Sequence, residues 1–348
     1  MREISSLTLV LSEKCNFSCP YCPQRKGKNT LTIEDIAAFL DFLQPRLART
    51  VRLGFYGGEP LLSLPLVEKT VAYAEKKYKT TFRFALTTNG SLLQKEHILF
   101  FREQRFTLGL SYDGMAQKDR DAGSVGAVES ALENLLRLYP AGYMVNSVFT
   151  PRTVPLLAAS IGALLKRGHQ RLRFALDTCV PWRRADLAAL KDQLDRVAAL
   201  CLEPRRKTRG NPLENFASKE KKGVFACFAG RDRLALLPDR TVWGCDRFHT
   251  LFGRDPANPD YARYCFGTIE EFMSKSAKAL AAEAANYAEL RQDYFFSEKK
   301  ELCSLCDDLE NCSVCPAQAA LATRTLAVIP SWTCRIRRIT RAAATRFT

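Results

Sequence analysis

The chain has 348 residues, 47% of them hydrophobic, and a formal net charge of +15 at pH 7, so it can bury a large core of one to three domains. No apolar segment approaches the length of a membrane span, and no basic patch followed by an apolar stretch opens the sequence, so we expect a soluble, cytoplasmic protein without a membrane partner. The 13 cysteines, at short spacings in a chain of this size, favour metal binding over disulfides.

Short β-branched or aromatic runs alternate with amphipathic stretches of helix length from Ser5 to about Glu203. The predicted strands are Leu7–Leu11, Val51–Tyr56, Phe82–Thr88, Phe106–Tyr112, Tyr143–Thr150 and Leu172–Thr178. The predicted helices are Ile33–Leu47, Leu66–Tyr78, Lys95–Gln104, Val125–Tyr139, Val154–Lys166 and Ala185–Leu202. A strand followed by a helix, repeated in this way, implies a parallel sheet with right-handed crossovers. Because two further repeats that would close a barrel are not evident, we expect an α/β fold with a curved, partial (β/α)6 barrel.

A basic stretch that contains proline and glycine interrupts the periodicity from about Pro204 to Gly223. We therefore divide the chain into a barrel of residues 1–203, a bridging region of residues 204–222 and a cysteine-rich region of residues 223–348. The last region holds 8 of the 13 cysteines and is predicted to be mostly irregular, apart from a helical stretch at about Ile269 to Asp293. Metal binding there would contribute directly to the folding free energy.

The positive charge is dispersed rather than concentrated in a stripe interleaved with aromatic residues. Its two densest groups are Arg205, Arg206, Lys207 and Arg209, and the tail residues Arg335, Arg337, Arg338 and Arg341. Clusters ligated by cysteine are anionic and would offset part of the excess. We interpret the charge as a solvated basic surface, with an acidic peptide or partner protein as the alternative, and we do not expect nucleic acid as the partner.

Cys15, Cys19 and Cys22 follow the first predicted strand in a Cys-x3-Cys-x2-Cys array. Three thiolates within eight residues can hold one corner of a metal cluster, and they leave one coordination position without a protein ligand. The spacing favours iron–sulfur chemistry. A structural zinc site with ligands from elsewhere in the chain is the alternative at this point.

Polar or glycine-bearing segments also follow most of the other strands. They are Gly57-Gly58-Glu59-Pro60, Thr87-Thr88-Asn89-Gly90, Ser111-Tyr112-Asp113-Gly114 and Asp177-Thr178-Cys179. Because the carboxyl ends of parallel strands meet at one edge of a sheet, these loops are predicted to line one pocket together with the cysteine array.

The cysteine array on the first loop of this (β/α)6 pattern resembles that of the radical S-adenosylmethionine (SAM) enzymes. The resemblance implies that Cys15, Cys19 and Cys22 bind a [4Fe–4S] cluster whose open iron chelates the amino and carboxylate groups of SAM. One electron from the cluster then breaks a C–S bond of the sulfonium and gives a 5′-deoxyadenosyl radical.

The remaining loops are similar, in the same order, to the cofactor-binding motifs of this family. Gly57 and Gly58 allow close backbone approach, and backbone carbonyls together with Glu59 are expected to meet the ammonium of SAM. Arg120 is a candidate bidentate partner of a carboxylate. The full set of implied cofactor-binding residues is Tyr21, Gly57, Gly58, Glu59, Thr88, Asn89, Ser111, Asp113 and Arg120.

The C-terminal cysteines resemble the SPASM extension, which binds two auxiliary [4Fe–4S] clusters. The resemblance implies an outer cluster on Cys303, Cys306, Cys312 and Cys334, an inner cluster on Cys227, Cys245 and Cys315, and three clusters in total. Two departures are a shorter last gap, between Cys312 and Cys315, and Arg240 at a position where relatives commonly have glycine. The third is the inner cluster's fourth ligand, which is either Cys265 or an open iron able to bind a substrate thiolate. A set of zinc sites is the alternative for the whole region.

Relatives with this extension mostly modify peptides, so we expect hydrogen abstraction from a precursor peptide or protein, giving a thioether, carbon–carbon or ether crosslink or an oxidised residue. An alternative is oxidation of an active-site Cys or Ser in another protein, as in sulfatase maturation, and another is a non-catalytic metal-stapled electron carrier or RNA-binding scaffold. Expected partners include a flavodoxin or ferredoxin as the electron donor. Cys15 leaves no room for a preceding recognition domain, so a separate peptide-recognition protein or the chain's own surface would capture a leader.

Cys179 and Asp177 are the catalytic candidates, as hydrogen-atom donor and general base respectively. A packed core cysteine is the alternative for Cys179, and a buried, small hydrophobic role is predicted for Cys201. The three histidines, His97, His169 and His249, form no recognisable constellation, and none is given a role.

Overall fold

The computed structural model describes residues 3–24, 26–202, 211–217, 227–291, 295–297 and 302–347. The basic group Arg205–Arg209, both ends of the predicted bridging region and the predicted helix end at Asp293 lie outside the described residues. Among the helices described, none combines the length and apolar character needed to cross a membrane.

Strands β1 to β6 form the parallel sheet predicted from the sequence, each beside the next along the chain. They are β1 Ile4–Val10, β2 Leu47–Tyr56, β3 Thr81–Thr88, β4 Thr107–Ser111, β5 Tyr143–Phe149 and β6 Leu172–Leu176. The helices of this part are α1 Ile33–Leu43, α2 Leu64–Lys77, α3 Lys95–Glu103, α4 Gln117–Arg120, α5 Val125–Leu138, α6 Leu157–Lys166 and α7 Arg184–Leu202. The predicted fold class is confirmed, and Cys201 is buried on α7 as predicted.

Local sequence explains where these elements begin. Thr32 caps α1: its hydroxyl accepts a hydrogen bond from the Asp35 backbone nitrogen (3.2 Å), and the Asp35 carboxylate accepts one from the Thr32 nitrogen (2.9 Å). The apolar residues of α1, spaced three or four apart, then face the sheet and are fully buried. They are Ile36, Phe39, Leu40 and Leu43.

The C-terminal region continues the same sheet on the free side of β1. Strand β7 (Arg233–Leu236) pairs with β1 in parallel, and β8 (Thr241–Trp243) and β9 (Cys265–Thr268) follow as antiparallel neighbours. A separate pair joins β10 (Phe296–Ser297) to β11 (Val328–Ile329). Helix α8 Glu214–Ala217 lies in the bridging region, and the helices of the C-terminal region are α9 Asp246–Phe252, α10 Pro259–Tyr264, α11 Ile269–Ser274, α12 Ala277–Ala288, α13 Pro316–Thr323 and α14 Ser331–Ala344.

This region therefore has more regular structure than the sequence predicted. Its strands have two to four residues, too few to give a periodic pattern, and those of the main sheet are stabilised by pairing that reaches β1. The single predicted helix from Ile269 is two helices. The break comes at Ser276, which caps α12 by accepting a hydrogen bond from the Ala279 nitrogen (3.2 Å).

Arg240 lies in the turn between β7 and β8 and has a φ of 66°, in the left-handed region. This conformation explains why a glycine would suit the position. The side chain compensates by joining two parts of the chain: its Nε donates to Asp35 Oδ1 on α1 (2.8 Å), and its guanidinium also pairs with Glu270 on α11.

Candidate active site

The cysteine array forms a loop at the carboxyl end of β1. The Cys22 nitrogen donates to the Cys19 carbonyl (3.1 Å), and the nitrogen of the buried Phe17 donates to Cys15 Sγ (3.4 Å). Burial raises the pKa of the Cys15 and Cys22 thiols. These thiols line a cavity at the sheet edge together with Gly58, Asp177 and Cys179, as predicted for the loops after β1, β2 and β6. The loops after β3 and β4, which were predicted to line the same pocket, contribute none of the described residues that line it.

The Gly57-Gly58 segment lies directly against the backbone that precedes the array. The Gly58 nitrogen donates to the Ser12 carbonyl and the Glu59 nitrogen to the Lys14 carbonyl, both at 2.9 Å. A Cβ on Gly58 would lie 2.1 Å from the Lys14 carbonyl oxygen. Only glycine therefore allows this close approach, which sets the position of the cysteine loop.

The Glu59 side chain points into the protein and is 2% exposed. Its carboxylate accepts hydrogen bonds from the Leu61 nitrogen (3.0 Å), the Thr88 hydroxyl (2.6 Å) and the Asn89 nitrogen (2.7 Å). Glu59 thus joins the loop after β2 to the loop after β3. A direct contact with an ammonium, as the motif predicted, would have to use the remaining acceptor capacity of this carboxylate.

Asn89 extends this connection to the cysteine loop. Its Nδ2 donates to Asn16 Oδ1 (2.9 Å), and Asn16 Nδ2 in turn donates to the Ser91 hydroxyl (2.8 Å). Asn16 lies between Cys15 and Phe17 and was not singled out from the sequence. Its role becomes visible only when β1 and β3 are brought to the same edge.

Asp113, after β4, is the centre of a buried polar group. It is 1% exposed and accepts hydrogen bonds from the Tyr21 hydroxyl, the Val148 nitrogen (2.7 Å) and Arg120 Nη1 (3.3 Å). The Arg120 guanidinium also lies over the Tyr21 ring, 5.6 Å from its centroid. Burial opposes the charge of Arg120, but Asp113 outweighs it and raises the pKa of the guanidinium. Ser111 ends β4 beside Asn146 and is half-buried.

Arg120 has one donor that the chain does not satisfy. Its Nε is buried without a hydrogen-bond partner among the described residues. An unsatisfied buried donor is costly, so its presence next to the cysteine loop fits a site that receives an acceptor group from a ligand. This observation, the close approach at Gly58 and the donor set of three cysteines fit a cluster with a bound carboxylate ligand.

Cys179 and Asp177 lie after β6 and face the same cavity. The Cys179 nitrogen donates to Asp177 Oδ1 (3.0 Å), and Gln318 Nε2 on α13 donates to Cys179 Sγ (3.1 Å). Burial and the neighbouring Asp177 raise the pKa of Cys179 to about 11, so the group is a thiol at neutral pH. Burial also raises the pKa of Asp177.

The cavity has a volume of about 670 Å³ and is bounded on one side by the cysteine loop and on the other by the C-terminal region. Residues on α9 and α13 line this second side, and no motif in the sequence singled them out. They are Asp246, His249, Thr250, Leu251 and Leu321. The Asp246 carboxylate accepts a hydrogen bond from Cys245 Sγ (3.3 Å), and Asp239 holds His249 through Nε2 (2.8 Å).

The outer set of cysteines comes together as the sequence grouped it. Cys303 interacts electrostatically with Cys334, Cys312 and Cys306, and burial, reinforced by these thiols, raises the pKa of Cys303 to about 12. Short turns hold the loop: the Cys306 nitrogen donates to the Cys303 carbonyl (3.0 Å). Cys334 is supplied by α14.

The inner set is connected through shared neighbours. Cys227 interacts with Cys315, and the guanidinium of Arg247 interacts with both Cys315 and Cys245. The buried Tyr287 lies within electrostatic reach of Cys227, Cys245 and Cys265. The sulfur of Cys265 also accepts a hydrogen bond from the Gly267 nitrogen (3.3 Å). The assignment of Cys265 as fourth ligand stays a prediction.

Within the described ranges, no three His, Cys, Asp or Glu side chains converge closely enough to hold a single metal ion.

Comparison with known proteins gives relatives of more than one activity. A family model of the Radical SAM superfamily matches residues 9–154. A cysteine-type anaerobic sulfatase-maturating enzyme from Clostridium novyi is 27% identical over 171 residues, 44% of this chain and 46% of that enzyme. A GTP 3′,8-cyclase from Corynebacterium glutamicum is 28% identical over 284 residues, 70% of this chain and 73% of the enzyme. The chain spans less than two thirds of the length of several curated relatives, the Clostridium enzyme among them.

Solved structures match over almost the whole chain. The structure of anSMEcpe with bound AdoMet superposes with a TM-score of 0.75 at 18% identity and covers 98% of this chain and 97% of that one. SuiB from Streptococcus suis, bound to S-adenosylmethionine, superposes with a TM-score of 0.64 at 16% identity. The match covers 95% of this chain and 77% of SuiB. Both proteins have also been solved with bound peptides. The radical SAM prediction is thus confirmed for residues 9–154, which match the superfamily model, and the chain as a whole shares its overall fold with anSMEcpe and SuiB.

Proposed function

We propose that this protein uses SAM to abstract a hydrogen atom from a peptide or protein side chain and so catalyses crosslinking or oxidation of that residue. The observation that carries the proposal is the cavity of about 670 Å³, which connects the three-cysteine loop to Asp177 and Cys179 after β6 and to Asp246 of the C-terminal region. It offers room for a cofactor beside the cysteines and for a substrate side chain beyond it. When bound, the cluster and SAM supply a 5′-deoxyadenosyl radical.

The residues proposed to hold the groups are those of the two cysteine-rich regions. Cys15, Cys19 and Cys22 would hold the first cluster, and Arg120 Nε would meet the carboxylate of SAM. The auxiliary clusters would take Cys303, Cys306, Cys312 and Cys334, and Cys227, Cys245, Cys315 and Cys265. An acidic flavodoxin or ferredoxin is the proposed electron donor, since the chain carries a net charge of +15.

Two of the carboxylates that line the cavity, those of Asp177 and Asp246, are candidates to accept the proton released when a substrate side chain is oxidised. Asp177 has its Oδ1 engaged by the Cys179 nitrogen, and burial raises the pKa of its carboxyl, a shift in the direction that strengthens a general base. Asp246 lies across the cavity on α9. A second candidate is oxidation of a Cys or Ser in another protein, because a sulfatase-maturating enzyme is among the relatives.

The test is anaerobic reconstitution of the full chain with iron and sulfide, followed by reductant and SAM. The probes are a cysteine-containing peptide deuterated on Cα and Cβ, its serine counterpart, and GTP because a cyclase is among the relatives. We expect deuterium to appear in 5′-deoxyadenosine with a peptide probe and SAM cleavage to be lost in Cys15→Ala. Turnover of GTP with no deuterium transfer from either peptide would overturn the proposal.

The variants Asp177→Asn and Asp246→Asn test which of the two carboxylates accepts the proton. Loss of product with deuterium transfer retained identifies the proton acceptor, because hydrogen abstraction precedes deprotonation. If both variants form product at the rate of the unsubstituted chain, neither carboxylate is the base.

A further inference from the structure

The arginines of the C-terminal tail lie against the outer cysteine group. On α14, Cys334, Arg338 and Arg341 recur at intervals of four and three residues, so they share one face of the helix. Arg338 Nε donates to Asp308 Oδ2 (2.6 Å) and Arg341 Nη1 donates to Asp308 Oδ1 (2.5 Å). Asp308 lies in the turn between Cys306 and Cys312, so this face closes over the loop that carries the cysteines.

Arg338 also reaches one of the sulfur atoms. Its Nη2 lies 3.8 Å from Cys306 Sγ, within hydrogen-bond range for a sulfur acceptor. Because the guanidinium is planar and rigid, the pairing of Nε with Asp308 directs the outer nitrogens towards Cys306. Asp308 therefore orients the Arg338 guanidinium so that it contacts the sulfur of Cys306.

The charges at this face do not cancel. Two guanidinium groups share the carboxylate of Asp308, so one positive charge remains in excess beside the cysteines. The other acidic side chains of the loop, Asp307 and Glu310, are exposed, and 61% of the Arg338 side chain is exposed as well, so solvent screens these charges alike.

We propose that Arg338 raises the reduction potential of the outer auxiliary cluster through its N–H···S contact with Cys306 and the excess positive charge that it shares with Arg341. The inference rests on the part of the proposed function that places a cluster on Cys303, Cys306, Cys312 and Cys334. Reduction adds one negative charge, and a hydrogen-bond donor and a cation at the sulfurs stabilise the reduced form more than the oxidised form. The outer site is thereby made the better electron acceptor.

The sequence predicts the tail arginines to be a solvated basic surface, and Arg335 and Arg338 are both exposed. Arg338 nevertheless contacts Asp308 and Cys306, and Arg341 contacts Asp308, so these two side chains also belong to the surroundings of the outer cysteines.

The test is a redox titration followed by electron paramagnetic resonance on the full chain with Cys15, Cys19 and Cys22 replaced by alanine, so that only auxiliary clusters contribute. In this background we expect Arg338→Gln to shift one of the two midpoint potentials to a more negative value and to leave the other unchanged. Arg335→Gln removes the same charge from the same helix and is expected to shift neither. Arg338→Lys keeps the cation without the planar fork and should give an intermediate shift.

Iron and sulfide are counted in every variant to show that the clusters are present. The readout is a midpoint potential, so no substrate is required. Unchanged potentials in Arg338→Gln with full iron content would overturn the proposal. If Arg338→Gln loses iron, Arg338→Lys decides, since full iron with the parent potential would overturn the proposed hydrogen bond. Absence of auxiliary iron from the parent would overturn the proposed ligand sets themselves, a result that the iron count separates from an unchanged potential.

Discussion

The two solvent-facing cysteine groups are held in different ways. The loop of Cys15 to Cys22 is joined to three strand ends by buried groups, of which Glu59 is 2% and Asp113 1% exposed. The outer group is carried by 3-10 turns of three residues each, with Leu305 79% exposed, and is held by arginines from α14. The first site is therefore shaped by the sheet, whereas the outer site depends on side-chain charges and on the metal that its cysteines bind.

Among the substitutions that test this difference between the two cysteine groups, Gly58→Ala is expected to have the largest effect. A Cβ would lie 2.1 Å from the Lys14 carbonyl, so the cysteine loop must move, and we expect loss of the first cluster and of SAM cleavage with the auxiliary iron retained. The measurement is iron per chain together with 5′-deoxyadenosine formation.

Gly126→Ala is the matched control for this variant. Apart from its chain neighbours and the backbone of its own helix α5, no heavy atom of the described residues lies within 4 Å of a Cβ at that position. Wild-type iron content and cleavage are expected there. The same result in Gly58→Ala would show that the close approach is not required.

Removal of the metal should destabilise the outer cysteine loop and leave the main sheet stable. In protein prepared without iron, we expect amides of residues 302–312 to lose protection from hydrogen exchange, while those of β1 to β5 keep it, because the sheet core does not depend on the metal. If both regions were protected equally with and without iron, the outer cysteine loop would not depend on the metal.

The sheet region has an acid-sensitive point of its own at His169, which is 1% exposed and shares a hydrogen bond with Tyr143 (2.5 Å). Burial lowers the pKa of His169 to about 4 from 6.5, so the unfolded chain binds a proton that the folded chain does not. Stability is present above about pH 6.5 and is lost as pH falls towards 4. From pH 7 to pH 5 the loss should be about 2 kcal/mol.

Urea unfolding of metal-free protein at the two pH values measures this loss. We expect His169→Phe to remove most of the difference between pH 7 and pH 5, whatever its effect at pH 7. A difference that persists in the variant would assign the acid sensitivity to other groups.

The smallest effect concerns Arg240, which joins the two regions through Asp35. Arg240→Gly removes an ion pair that is 48% exposed on the arginine side, but it also relieves the left-handed backbone, so we expect a change within about 1 kcal/mol. Arg240→Ala loses the pair and keeps the strain, and should be about 1 kcal/mol less stable than the glycine variant. Thermal unfolding compares the two, and an alanine variant as stable as the glycine variant would show that the φ of 66° carries no cost.

The sequence predicted those parts of the molecule that repeat. Strands β1 to β6 alternate with long amphipathic helices, so their order and the edge that carries the loops followed from the pattern. Strand β7 has four residues and is buried only because it pairs with β1, a contact between distant positions that no local pattern reports. For the same reason, the motif identified Glu59 but did not predict that its carboxylate points into the protein. The prediction of a solvated surface likewise did not include the contact of Arg338 with Cys306.

The parallel pairing of β7 with β1 has a consequence for how the protein can be divided. Without residues 233–236, β1 would become an edge strand with unsatisfied backbone groups along Ser6 to Leu9, immediately before the cysteine loop. Such an edge is prone to pair with other chains. The barrel of residues 1–203 is therefore expected to aggregate when produced alone, and an exchange of cysteine-rich regions between relatives would have to carry β7 with it.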